Sequence, residues 1–100
     1  MSQISRINKY EKILDNANKT IKELTLIVEK YAVCQKEIEE LDKYYGSDDW
    51  YLDVDSYDMK LLPKDIKVGI LSEDAIYDLL NDNKQIAIKL LEVATKTLKR

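Results

Sequence analysis

The apolar positions in the first third of the chain follow one long helical repeat. Ile7, Tyr10, Leu14, Ala17, Ile21, Leu24, Val28 and Tyr31 alternate steps of three and four, a period of about 3.5 residues that lays them along one seam of a helix. Continuing this register brings Gln35 and Asp42 onto the seam, but the apolar line moves over to Ile27, Tyr31, Cys34, Ile38, Leu41 and Tyr45. A straight helix drifts by about 20° per heptad against a strict heptad, so this shift needs no break. No Pro or Gly lies between Ser2 and Tyr45. Ser5 is placed to cap the start, and Gly46 to stop the helix in the left-handed conformation. The pattern predicts a helix over about residues 5–45, about 60 Å long at about 1.5 Å per residue.

A second, shorter pattern follows. Ser47 is a good N-cap residue, and Asp48 and Asp49 come next, where the positive end of a helix dipole favours acids. Trp50, Val54, Tyr57 and Leu61 recur at steps of four, three and four, which predicts a short acidic helix over about 48–58 with those residues on its inner face. Pro63 bars its extension. Residues 59–71 read as an ordered loop with Leu61, Leu62, Ile66, Val68, Ile70 and Leu71 turned inward.

Ser72 followed by Glu73 and Asp74 marks another helix start. Ile76, Leu79, Leu80, Ile86, Ala87, Leu90, Leu91, Ala94 and Leu98 line one face of a helix over about 73–99. Asn81-Asp82-Asn83 interrupts that face, and Asp82 with Gln85 resembles a capping box, so a break near 81–83 is the alternative. The expected fold is therefore all-α and a single domain: two long helices packed antiparallel as a hairpin or small bundle, with the short helix closing one end. A helix from Glu73 to Lys99 spans only about 40 Å, which leaves about 20 Å of the first helix, around Ile7–Ala17, without a partner in the chain. That stripe is the argument for a homo-oligomer formed through the N-terminal helix, as in a coiled coil.

Composition supports the helical reading. Only two Gly and one Pro occur in 100 residues, too few turn formers for a strand-rich fold. The net charge of −3 is uneven: residues 1–45 balance, residues 46–58 carry five acids and no base, and residues 83–100 carry five bases and one acid. Folding back would let the acidic belt meet Lys84, Lys89, Lys96, Lys99 or Arg100. A lone Cys34 forbids an internal disulfide and sits on the apolar stripe, where Cys behaves as a small hydrophobe. Neither a signal segment nor a membrane-spanning run is expected, and the cytoplasm is the expected location.

Several chemistries are excluded or weakened. The chain has no His, the commonest general base near neutral pH and the commonest transition-metal ligand. Asp53, Asp55 and Asp58 suggest a calcium loop, but counting from Asp53 places Tyr57, Asp58 and Lys64 where the EF-hand needs a ligand, a Gly and a bidentate Glu. Glu37 and Glu40, and again Asp55 and Asp58, repeat a three-residue spacing like that of helical nucleotide pyrophosphohydrolases, which hold magnesium between facing helices. No basic cluster accompanies them to grip a phosphate. Glu92 interrupts the Lys89, Lys96 and Lys99 face of an acidic chain, so nucleic-acid binding is not expected. No metal, cofactor or catalytic residue is assigned.

Four segments together carry a family likeness: Arg6-Ile7 with Tyr10-Glu11; Tyr44-Tyr45-Gly46-Ser47 with Trp50; Leu62-Pro63-Lys64-Asp65; and Gly69, Leu71-Ser72-Glu73-Asp74, Tyr77-Asp78 and Leu80. From about Arg6 to Leu98 the chain resembles a family of small bacterial helical proteins catalogued as domain of unknown function number 4298. It departs from that pattern mainly over Asp53–Met59. The resemblance implies a helical domain and brings no catalytic residues. The expected role is a non-enzymatic module that binds another protein, itself included, with Asp48, Asp49, Tyr51, Asp53, Asp55 and Asp58 as the candidate binding surface. A magnesium-dependent hydrolase using Glu37, Glu40, Asp55 and Asp58 is one alternative. An acidic inhibitor that competes with nucleic acid for a basic partner is the other.

Overall fold

The computed structural model describes residues 2–100, and these form helices and turns with no strand among them. Helix α1 spans Gln3–Tyr44, α2 spans Asp48–Asp58, and α3 spans Glu73–Leu98, with a single 3-10 turn at Gly69–Leu71 before α3. All three helices fall where the apolar spacing predicts them. The chain divides into two units, Met1–Glu37 and Ile38–Arg100.

The start of α1 differs from expectation. Ser2, not Ser5, supplies the cap: the Ser5 N–H donates to Ser2 Oγ at 3.1 Å, and the Ser2 hydroxyl donates to Ser5 Oγ at 2.9 Å. An N-cap accepts from the second or third helical N–H, so the earlier serine serves whenever the intervening residues can turn helically. The first unit consists of α1 alone, and every described residue from Ser2 to Lys30 is exposed. Its exposed apolar stripe therefore runs beyond Ala17 to Leu24 and Val28.

Each junction in the second unit has its own stop signal. Gly46 takes φ 78°, and the Ser47 N–H and hydroxyl both donate to the Tyr44 carbonyl, at 2.9 and 2.6 Å. Ser47 Oγ then accepts from the Trp50 N–H at 3.2 Å and starts α2. At the other end of α2, Lys60 N–H donates to the Tyr57 carbonyl at 3.0 Å and Leu61 N–H to the Ser56 carbonyl at 2.9 Å. This is a Schellman motif, with Lys60 at φ 59° in the position usually held by Gly. The helix is thus turned aside at Lys60, before Pro63 acts. Leu61 leaves the inner face and is 68% exposed.

Lys60 bears the steric cost of a left-handed side-chain-bearing residue, about 1–2 kcal/mol. Lys60→Gly is expected to stabilise the second unit by roughly 1 kcal/mol, less than the full strain because Gly also gains freedom when unfolded. A urea midpoint that stays put or falls would contradict this. Gly46→Ala should move the midpoint the opposite way by a similar amount.

Among the described residues two are buried, Trp50 at 6% and Ile76 at 2% exposure. They belong to α2 and α3, and the Gly69–Leu71 turn packs against both of those helices. Val54, Leu62, Val68, Leu71 and Leu80 are half-buried around this knot. The shifted apolar line at the end of α1 is half-buried at Ile38, Leu41 and Tyr45, as expected, while Cys34 and Ile27 on the same line are exposed. Tyr57, Ile66 and Ile70, read as inward from the sequence, are also exposed. Tyr57 lies in the last turn of a helix that ends one residue later, and its carbonyl serves the Schellman motif.

Helix α3 begins on Ser72, whose Oγ accepts from the Ala75 N–H at 3.1 Å. It continues unbroken through Asn81-Asp82-Asn83, so Asp82 is a helical residue rather than a cap. Its apolar face is covered near Ile76 and Leu80, while Ile86, Leu91 and Leu98 farther along are exposed. The Tyr45 hydroxyl donates to the Glu73 carbonyl at 2.8 Å. This ties the residue that follows α1 to the beginning of α3.

Candidate functional site

The acidic belt is built on α2. Asp48 and Asp49 occupy its first turn beside the Ser47 cap, where they interact favourably with the helix dipole. Trp50 points inward, and its indole Nε1–H donates to the Ile70 carbonyl at 2.8 Å, so a polar atom on the largest side chain is satisfied where it is buried. The Tyr45 and Tyr51 rings meet the indole edge-on, at centroid distances of 5.2 and 5.0 Å. This geometry places ring edges against ring faces, the arrangement the aromatic quadrupole favours.

The outward face is divided in two by the structure. Asp48, Asp49, Tyr51, Asp55 and Asp58 are exposed, whereas Asp53 is half-buried and accepts a hydrogen bond from the Tyr44 hydroxyl at 2.5 Å. Asp53 thus braces α2 against the end of α1. Tyr44 belongs to the family motif, but no spacing rule connects a residue at the end of one helix with one nine positions on in the next.

Burial, the Asp53 hydrogen bond, the Asp53 charge and the Asp49 charge push the Tyr44 phenol from its ordinary 10.0 up to about 12. The folded pKa is raised, so the stability this implies is fully present below pH 10 and is lost as pH rises through about 12. Absorbance titration at 295 nm is expected to show one tyrosine ionising late, and Tyr44→Phe should abolish that late phase. A late phase surviving in Tyr44→Phe would refute the assignment.

The belt does not pair with the basic end of the chain. Among the described residues the only ion pair is Lys43–Glu39, at 3.5 Å across one helical turn. The expected contacts of the belt with Lys84, Lys89, Lys96, Lys99 and Arg100 are therefore not formed. Asp55, Asp58, Glu37 and Glu40 are all exposed, and no group of three or more Asp, Glu, Cys or His among the described residues is arranged to hold a metal ion. The chelating set required by the magnesium reading is not assembled there. A shallow open hollow lies where α2 meets the following loop, between Tyr57, Lys60, Leu62, Pro63, Lys64 and Val68. No helix among the described residues is long and apolar enough to cross a membrane.

These features define a strand-free helical protein with a small aromatic knot, an exposed acidic helix and a long uncovered helix. Residues 7–93 match the family Domain of unknown function (DUF4298), and the chain belongs to that family. No curated protein and no solved structure matches it.

Proposed function

We propose that this protein is a helical interaction module that works by binding protein through the apolar stripe of α1, with a second copy of itself as an occupant. One observation carries this reading: a stripe from Ile7 to Val28 in which Ile7, Tyr10, Leu14, Ile21, Leu24 and Val28 are all exposed. Helices in proteins owe little of their stability to propensity and most to packing of an apolar face. A 42-residue helix whose first eight turns or so are exposed throughout is a helix prepared for a partner. The 3.5-residue period is the spacing that keeps a seam facing another helix along its whole length.

Sedimentation velocity over a hundredfold range of concentration tests this. The expected result is a concentration-dependent rise above the monomer coefficient, little affected by salt because the seam is apolar. A monomer at every concentration removes self-association. The exposed acids of α2 support a further contact surface for a basic partner, and that contact would weaken with added salt.

A further inference from the structure

We infer that two copies of α1 pair antiparallel about the midpoint of the stripe, near position 19. This rests on the self-association proposed above and adds its orientation and register. In heptad terms the seam consists of Ile7, Leu14, Ile21 and Val28 on one row and Tyr10, Ala17, Leu24 and Tyr31 on the other. Between Ile7 and Lys36 every charged residue except Glu11 falls at the three outward positions of the heptad. The face available to a partner is therefore almost free of charge, and shape must decide the orientation.

The two flanking rows are unlike. One holds Ile13, Thr20, Ile27 and Cys34, and the other holds Glu11, Asn18, Thr25 and Ala32. Parallel helices set each flank against the other kind, placing Ile13 beside Asn18 of the second copy. Antiparallel helices set each flank against itself, so Ile13 meets Ile27 on one side while Glu11 meets Thr25 and Asn18 meets Asn18 on the other. Sorting apolar with apolar leaves no isoleucine against an amide and keeps the single acid on the wet side.

The seam gives the same answer. In-register parallel pairing opposes each residue to itself, so Ala17 meets Ala17 and leaves a gap, while Tyr10 and Tyr31 crowd their own copies. Antiparallel pairing about position 19 opposes Ala17 to Ile21, Leu14 to Leu24, Tyr10 to Val28 and Ile7 to Tyr31. Large residues then face smaller or branched ones, and the interface fills evenly. The helix dipoles also oppose each other in this order. The seam from Ile7 to the half-buried Tyr31 is about 36 Å long, and half the girth of a helix about 10 Å wide gives roughly 600 Å² per copy. A pair therefore buries roughly 1,200 Å², at the lower end of what specific interfaces use.

Cys34 is the only cysteine and is exposed, so the unmodified sequence accepts a nitroxide label at one place. It lies about fifteen residues beyond the midpoint, which puts the two labels of an antiparallel pair about 45 Å apart along the axis. A parallel pair holds them on adjacent helices with axes about 10 Å apart. Double electron–electron resonance on the labelled protein, with sedimentation of the same sample and of unlabelled Cys34→Ser, reads both quantities. A dimer with labels about 45 Å apart supports the inference. A dimer with a short distance, or with any other separation, overturns the orientation or register and leaves self-association standing. A monomer in all samples overturns both.

Discussion

Replacing Trp50 with Ala is expected to unfold most of the second unit. Trp50 is one of two buried residues among those described and sits where α2, the Gly69–Leu71 turn and the start of α3 meet. Large-to-small changes at such positions cost about 3–5 kcal/mol, the transfer term and the cavity term together. A unit of about sixty residues has a total stability of roughly 3–9 kcal/mol at ordinary values per residue, so the loss is comparable with everything available. Trp50→Phe keeps an aromatic ring edge-on to Tyr45 and Tyr51 but leaves the Ile70 carbonyl without its 2.8 Å donor. That omission costs about 0.5–1.5 kcal/mol, the net worth of a typical hydrogen bond, because Ile70 is itself exposed. Urea unfolding followed by far-ultraviolet dichroism, with hydrogen exchange across residues 48–80, measures both variants. An Ala variant with an unchanged midpoint would mean that the knot does not hold the unit.

Leu14→Glu is expected to abolish self-association. A buried leucine contributes about 1.5–3 kcal/mol, and a symmetric pair contains the residue twice. The carboxylate adds a desolvation cost wherever the seam excludes water. The combined loss exceeds roughly 3 kcal/mol, which is more than a hundredfold in dissociation constant. Lys12→Glu, on the outward face two positions away, changes charge without touching the seam and should leave association nearly unaltered. Helix content of the Leu14→Glu variant should also fall, because α1 then has no packing to offset its ordering entropy. Indistinguishable sedimentation of wild type and Leu14→Glu would take the stripe out of the interface.

Local signals made much of the fold legible. Ser47 and Ser72 cap the helices they were expected to cap, Gly46 takes the left-handed stop, and the apolar periods mark all three helices. These are short-range facts: a hydroxyl reaching an N–H three residues on, or a backbone torsion that only one residue adopts without strain. Burial is less legible, because it depends on partners from elsewhere in the chain. Helix α2 ends at Asp58, where the spacing puts its end, but Lys60 then turns the chain and carries Leu61 off the helical face. Tyr57, Ile66 and Ile70 are apolar in the right places but are exposed.

The candidate surface divides along the same line. That Asp48, Asp49, Tyr51, Asp55 and Asp58 stand outward follows from the helical period, which puts Trp50 and Val54 on the opposite side. That Asp53 is drawn into a bond with Tyr44 does not, because it depends on how the chain bends at Gly46 between α1 and α2.

The sequence by itself determined the three helices, the caps of α2 and α3 and the apolar period of α1, since each rests on interactions spanning a few residues. Only the tertiary structure decided which apolar residues are covered. It buried Trp50 and Ile76 around a turn some twenty residues from the tryptophan, gave Asp53 to Tyr44, and left the stripe of α1 open as far as Val28. Burial is a property of what arrives from elsewhere in the chain, and periodicity records only which side of a helix is ready to receive it.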